Sequence, residues 1–336
     1  MLTGPKPLGI STISYEHIRE ARTFLSKYLS QTRLQAAPSV SRVAGAEVAL
    51  KLESEQPTGS FKVRGALYAL AVNSQRGKIA EVVTASTGNH GAAVAYAASL
   101  LRVPCTVFLP VNPNPTKRSR IVELGACVKE AGRNLSEAAV HAAGHAEREG
   151  VYFLNDATDP DLPAGPATIA CEILEQRPET DAIVVPVGDT AFIRGIAAAV
   201  RHLRPEVRVI GVQAEGAPAY YQSWKTGKVL ASNPASTIAD GLAPQAPLAT
   251  NVEQIHLLLD DFCLVSDDEM LCAMRHLILE ERVLSEPAGA AATAALIHRK
   301  AFNFGKTPTA IVSGANISPQ VLRSMCGHIC SHPGSG

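Results

Sequence analysis

The chain has 336 residues, enough to bury a large core divided between two lobes with a cleft between them. Lysine plus arginine and aspartate plus glutamate balance at 31 each, so no net field draws polyanions or an acidic membrane surface, and nucleic acid is not an expected partner. No apolar run reaches the roughly 18 residues that span a bilayer, residues 1–14 lack the apolar core of a secretory signal, and seven dispersed cysteines fit reduced thiols, so we expect a cytoplasmic protein with no membrane partner.

Short β-rich runs alternate with alanine-rich helical stretches: EVALKLE (47–53), EVVTAS (81–86), CTVFLP (105–110), AIVVPV (182–187), VRVIGV (207–212) and TAIVSG (309–314). That order predicts an α/β fold with largely parallel sheets flanked by helices and right-handed crossovers. Helical spacing of small and apolar residues covers 91–101 and 135–149. Residues 57–156 read as two strand-helix units that close at the turn-rich YFLNDATDPDLPAG. They form a smaller domain inserted into a larger one made of 1–56 and 157–336. At the end of the chain Cys326, His328, Cys330 and His332 alternate in a spacing unlike zinc sites, and the final SHPGSG reads as frayed.

Four segments carry candidate chemistry. In PTGSFKVRGALYAL (57–70) Ser60 is a plausible helix N-cap and Lys62 lies in the first turn. An ammonium there opposes the positive end of the helix dipole, which favours the neutral, nucleophilic amine. Taken alone, Lys62 reads more readily as a solvated surface lysine, since lysines at helix starts are common. TASTGNHGAAVAYA (84–97) runs from a strand through a polar turn into a helix beginning near Gly91. Its amides suit an anion such as a carboxylate, with Asn89 and His90 as directional partners; a plain capping turn is the alternative. VVPVGDTAFIRGIAAAV (184–200) places another turn before a helix, where amides and dipole hold a phosphate, although neither GxxxxGK[ST] nor GxGxxG is present. AIVSGANIS (310–318) ends a strand at Ser313.

In this order and spacing the segments resemble those of the fold-type-II pyridoxal 5'-phosphate enzymes, the threonine dehydratase and serine racemase group, with the tryptophan synthase β-like two-lobed fold. KLESEQPTGSFKVRGA resembles the cofactor-lysine motif, STGNHG the substrate and ring-binding loop, and PVG plus a helix the phosphate loop; TIADGLA (237–243), SEPAGAAATAAL (285–296) and SGAN (313–316) extend the likeness from about Ile13 to Gln320. The resemblance implies that Lys62, next to Phe61, carries the cofactor as a Schiff base and then removes the substrate's Cα proton. It implies that Asn89 meets the ring hydroxyl and that Gly188, Asp189, Thr190, Ala191 and Phe192 hold the phosphate. Ser86, Thr87, Asn89, His90 and Gly241 would surround the substrate, and Ser313 would face the pyridine nitrogen. A hydroxyl there leaves the ring less electron-poor than a carboxylate would, which favours prompt loss of a β-leaving group.

The implied reaction is loss of water from a 3-hydroxy amino acid, threonine, serine or a bulkier one such as phenylserine, 3-hydroxyaspartate or a hydroxyectoine-derived amino acid, giving a 2-oxo acid and ammonia. An amino-acid racemase is the alternative enzyme, and a binding protein that keeps the fold the alternative class. Thr87 bears on the first choice, because serine racemases use a serine there as a second base while threonine dehydratases often carry alanine. A homodimer is implied. The chain ends soon after SGAN, so we expect no isoleucine-responsive regulatory domain.

Two features depart from the family pattern. Gly188-Asp189-Thr190-Ala191-Phe192 replaces a run of glycines. A charge on Asp189 about 5 Å from a phosphate would cost on the order of 3 kcal/mol at an effective dielectric of 20, so Asp189 is expected to point away or to pair with Arg194, while the Thr190 hydroxyl donates. Metal-activated relatives place carboxylates within the stretch matching GVQAEGAPAY (211–220), where this chain has Gln213 and Ala219 and keeps only Glu215. One carboxylate makes a poor site for a hard cation. A chelator should therefore leave turnover unchanged; a loss of activity that magnesium restores would overturn this expectation.

Overall fold

The computed structural model describes residues 13–231, 235–244, 246–301 and 303–327. His328, Cys330 and His332 of the tail, and the terminal SHPGSG, lie outside the described residues. Among those described, no helix is long and apolar enough to cross a membrane.

Among the described residues, ten strands form two sheets. β1 (Leu34–Ala36), β2 (Ala49–Leu52), β7 (Ala182–Pro186), β8 (Arg208–Ala214), β9 (Asp261–Val265) and β10 (Pro308–Val312) build a six-stranded sheet in the order β1-β2-β10-β7-β8-β9. Only the β1 edge is antiparallel. β3 (Glu81–Ala85), β4 (Cys105–Leu109), β5 (Cys127–Glu130) and β6 (Val151–Phe153) form an all-parallel sheet in the order β5-β4-β3-β6. The stretch 57–156 thus holds four strands instead of two strand-helix units. β5 is polar and mostly exposed, and β6 is apolar but only three residues long, so neither shows the longer apolar run that marks β3 and β4.

The large sheet is apolar on both faces, as a parallel sheet covered by helices must be. Along β7, Val184 packs in one core and Ile183 and Val185 in the other; along β10, Val312 and Ile311 divide in the same way. A third core sits under the small sheet, where Val63, Leu67 and Leu70 of the helix Lys62–Arg76 meet Val82, Val107 and Leu154.

One buried charge network ties these layers together. Arg64, two residues beyond Lys62, donates to both oxygens of Glu53 (2.8 Å each), to both of Glu172 (2.6 and 3.0 Å) and to Thr168 Oγ1 (3.1 Å). Lys51 of β2, fully buried, donates to Glu172 Oε2 (2.6 Å), the Thr32 carbonyl (2.9 Å) and Gln176 Oε1 (2.9 Å). Two cations face two carboxylates. Burial pulls the Arg64 guanidinium down, but Glu53 and Glu172 outweigh it and hold the group above its ordinary value. The expected Ser60 N-cap does not form. The helix starts at Lys62 behind Phe61 with no side-chain cap, and the Ser60 hydroxyl is buried without a partner. The start of the helix is fixed by Arg64 instead. Arg64→Ala leaves Glu53 and Glu172 short of a counter-charge and should cost about 3–5 kcal/mol, read as a lower urea midpoint; an unchanged midpoint would remove the network from this role.

Candidate active site

The strand ends of the large sheet meet the small-sheet layer at a cleft, the kind of concave place where small molecules bind. Phe61, Lys62, Asn89, His90, Gly188, Asp189, Thr190, Ala191, Phe192, Gly241 and Ser313 line it, eleven of the thirteen expected residues. Ser86 and Thr87 are not among its walls. The Ser86 hydroxyl instead accepts from the Gly88 amide (3.2 Å), within the turn that leads into the helix Asn89–Leu101. That helix begins at Asn89, two residues before the position read from sequence.

Backbone pairing sets the relation between the lysine and Ser313. Ser60 and Gly314 form an isolated bridge, the Phe61 amide donates to the Ser313 carbonyl (3.0 Å) and the Ala315 amide to that of Gly59 (2.9 Å). Gly59 takes the left-handed conformation, with a φ of 73°. The end of β10 is thereby pinned against the residue before Lys62.

The sequence was expected to favour a neutral Lys62. The structure instead holds its ammonium against Asp156 Oδ2 at 2.5 Å. Burial works to lower the lysine, but Asp156, Asp189 and Glu286 outweigh it and leave the amine above its ordinary value. The helix dipole is the weaker influence beside a carboxylate in contact. Asp156 feels the reverse: burial pushes it up, and the Lys62 ammonium in contact with it brings it well below the usual carboxylate range. His90 is buried and pushed toward the neutral imidazole, chiefly by burial.

Asp189 does not pair with Arg194. The guanidinium of Arg194 donates to Thr190 Oγ1 (3.1 Å) and Gln254 Oε1 (2.9 Å) and acts on Asp189 only across space. Burial and the repulsion of Asp156 push Asp189 up to about 7 against the pull of Lys62 and Arg194. Up to neutral pH the side chain is therefore largely a carboxylic acid, which can donate to an anion where a carboxylate would repel it. Thr190 keeps a glycine-like backbone with a φ of 70°, and its hydroxyl accepts from Arg194 instead of standing free. At Gly188 an added Cβ would lie 2.3 Å from the Gly241 carbonyl, so this glycine is required. The ring of Phe192 stacks on Phe61, with centroids 3.7 Å apart and planes 14° apart.

Asp156 and Glu286 also line the cleft, and the sequence reading had singled out neither. Asn89 Nδ2 donates to Glu286 Oε1 (2.6 Å), and Asn316 Nδ2 donates to Asn89 Oδ1 (2.7 Å). Burial pushes Glu286 up to about 7, with Asn89, Lys117 and Lys62 opposing. Three acids within six residues, Asp156, Asp159 and Asp161, were the available signal for Asp156, hidden because the stretch reads as a turn.

Two parallel-rich sheets with a lysine amine, an N-terminal helix turn lacking a side-chain cap and a strand-end hydroxyl around one cleft define a protein that holds a phosphorylated, amine-reactive cofactor. Residues 25–314 match the family model described as "Pyridoxal-phosphate dependent enzyme", and the chain belongs to that family. It is 36% identical over 310 residues to an L-threonine ammonia-lyase of Geobacter sulfurreducens, covering 92% of this chain and 77% of that one. It is 32% identical over 319 residues to the catabolic L-threonine dehydratase TdcB of Escherichia coli K12, covering 94% and 97%. The structure of maize serine racemase superposes with a TM-score of 0.86 at 28% identity, covering 94% of this chain and 98% of that one. The protein is an enzyme of the type-II fold that uses pyridoxal 5'-phosphate.

The residues present fit that cofactor. The helix Ala191–Leu203 opens on the cleft without a side-chain cap, leaving its first-turn amides for a phosphate, and the Lys62 amine stands on the same cleft. Asp189 adds a pH limit. Its carboxyl is raised in the folded chain, so the native state binds the extra proton and loses stability as pH rises from about 4, the unfolded value, through about 7. Asp189→Asn should match the parent in urea unfolding below about pH 4 and exceed it above pH 7; parallel stability curves across that range would contradict this.

Proposed function

We propose that this enzyme is an ammonia-lyase that removes water from a 3-hydroxy amino acid, threonine or serine or a bulkier homologue, and releases the 2-oxo acid and ammonia. The observation that carries this reading is the convergence of Lys62, the helix start at 190–192 and Ser313 on one cleft. The names of the ammonia-lyase and dehydratase relatives support it. Pyridoxal phosphate, when bound, supplies an electron sink for the pair left on the substrate's Cα.

The chain's own residues do the rest. Lys62 Nζ binds the cofactor and afterwards, as a free amine, takes the proton from Cα. The amides at the start of the helix Ala191–Leu203 hold the phosphate, with the Asp189 carboxyl as an added donor while protonated. Ser313 offers a neutral hydroxyl to the ring nitrogen and Asn89 an amide to the ring hydroxyl. The backbone amides of the turn after β3, from Ser86 to His90, receive the substrate carboxylate, the His90 ring being engaged by the Leu154 carbonyl, and Gly241 closes the wall opposite Gly188. The apolar walls Leu162, Pro166, Leu242 and Ala288 keep water from the reacting carbon.

The likeness to maize serine racemase favours a second reading, inversion at Cα, with the Thr87 hydroxyl on the opposite ring face. A panel of 3-hydroxy amino acids scored for 2-oxo acid, with chiral analysis of the remaining substrate, separates the two. Oxo acid without inversion is expected, and inversion without oxo acid would select the racemase. Lys62→Ala should lower turnover on the order of 10²- to 10⁴-fold and abolish the visible absorbance of the bound cofactor; a variant that kept both would dismiss the lysine's role.

A further inference from the structure

The loop after β6 places one carboxylate where the proposed chemistry needs a partner for its base. Asp156 Oδ2 lies 2.5 Å from Lys62 Nζ, and both side chains line the cleft, each about a quarter exposed. On its other side Asp156 faces His90 Nδ1 at 3.9 Å. The His90 Nε2 contacts the Leu154 carbonyl at 3.0 Å, and a carbonyl only accepts, so Nε2 carries the proton and Nδ1 presents a lone pair. A neutral imidazole supplies no counter-charge. Lys62 is therefore the cation that answers Asp156.

We infer that Asp156 is the positioning residue for Lys62: its carboxylate aims the lysine amine into the cleft and makes it the better acceptor of the substrate's Cα proton. The inference rests on the reading of Lys62 as cofactor lysine and base. In the step concerned, the Cα–H bond breaks, the N–H bond forms on Lys62 Nζ, and the electron pair stays with the substrate. The ammonium so produced is held by Asp156. Its proton leaves with the departing β-hydroxide as water, which restores the amine.

The groups that face Lys62 divide by sign. Asp156, Asp189 at the entry to the helix Ala191–Leu203 and Glu286 at the entry to the helix Pro287–Ile297 favour the ammonium; burial opposes it, and His90, pushed toward neutral, stands behind Asp156. Arg194 acts on Asp189. Asp156 heads the attractive contributions, so removing its charge frees the amine at lower pH.

The consequence is a pair of opposite effects. A stronger base serves proton abstraction, but an ammonium cannot condense with an aldehyde, so Asp156 should slow loading of the cofactor while speeding turnover. The test takes the full chain stripped of cofactor, adds pyridoxal 5'-phosphate across a pH series and follows the visible absorbance of the lysine adduct, alongside kcat of the loaded enzyme. For Asp156→Asn the midpoint of the loading rate should move down by about one pH unit or more, with faster loading at neutral pH, while kcat falls about tenfold. Asp156→Glu should return both at least in part. An unshifted loading profile, or loading and kcat that fall together at every pH, would overturn the inference while leaving Lys62 in place. Absence of the adduct in the parent chain would overturn the reading of Lys62 itself, and this inference with it.

Discussion

The Arg64 network is the constraint on which the cleft depends. A helix that begins without a side-chain cap frays, and a lysine in its first turn would wander with it. Arg64 prevents this by spending its guanidinium on Glu53 and Glu172, one from the turn after β2 and one from the helix Ala164–Gln176. Lys51 closes the same charge balance from within the large sheet. Because Arg64 sits two residues past Lys62, the layer that carries the lysine is referenced to the layer that carries Ser313 and the helix start at 190. Buried charges are costly unless fully answered, and here each is met by several hydrogen bonds.

From that anchor the electrostatics of the cleft follow. Lys62, Asp156, Asp189 and Glu286 share one partly buried volume with a single strongly held cation among three acids. Not all of the acids can ionise together. Asp156, in contact with the ammonium, keeps its charge, while Asp189 and Glu286 are pushed up to about 7. The aspartate in the proposed phosphate loop is thus compatible with an anionic ligand below about pH 7, where the same crowding that makes it anomalous favours its protonated form. Two features of a glycine loop survive beside it, the tight approach of Gly188 to Gly241 and the left-handed backbone at Thr190.

Much of this was legible in the chain. The alternation of β-rich and helical runs led to the parallel-rich α/β fold, and the order of four short motifs led to the family and its cofactor. What escaped has physical causes. β5 was missed because a short, polar edge strand has no apolar period to read, and β6 because three residues are too few to show one. Ser60 was taken for a cap on residue type alone, whereas the chain uses that position to bridge to Gly314 and leaves its hydroxyl buried. The state of Lys62 was judged from its own helix, but the deciding charge comes from Asp156, 94 residues further along the chain. Long-range contacts of that kind leave no local pattern.

The stacked rings of Phe61 and Phe192 carry a consequence of a different sort. One ring precedes the lysine and the other ends the loop 188–192, so the stack ties the start of the lysine helix to that loop. Shortening one ring alone changes the gap that the other must fill.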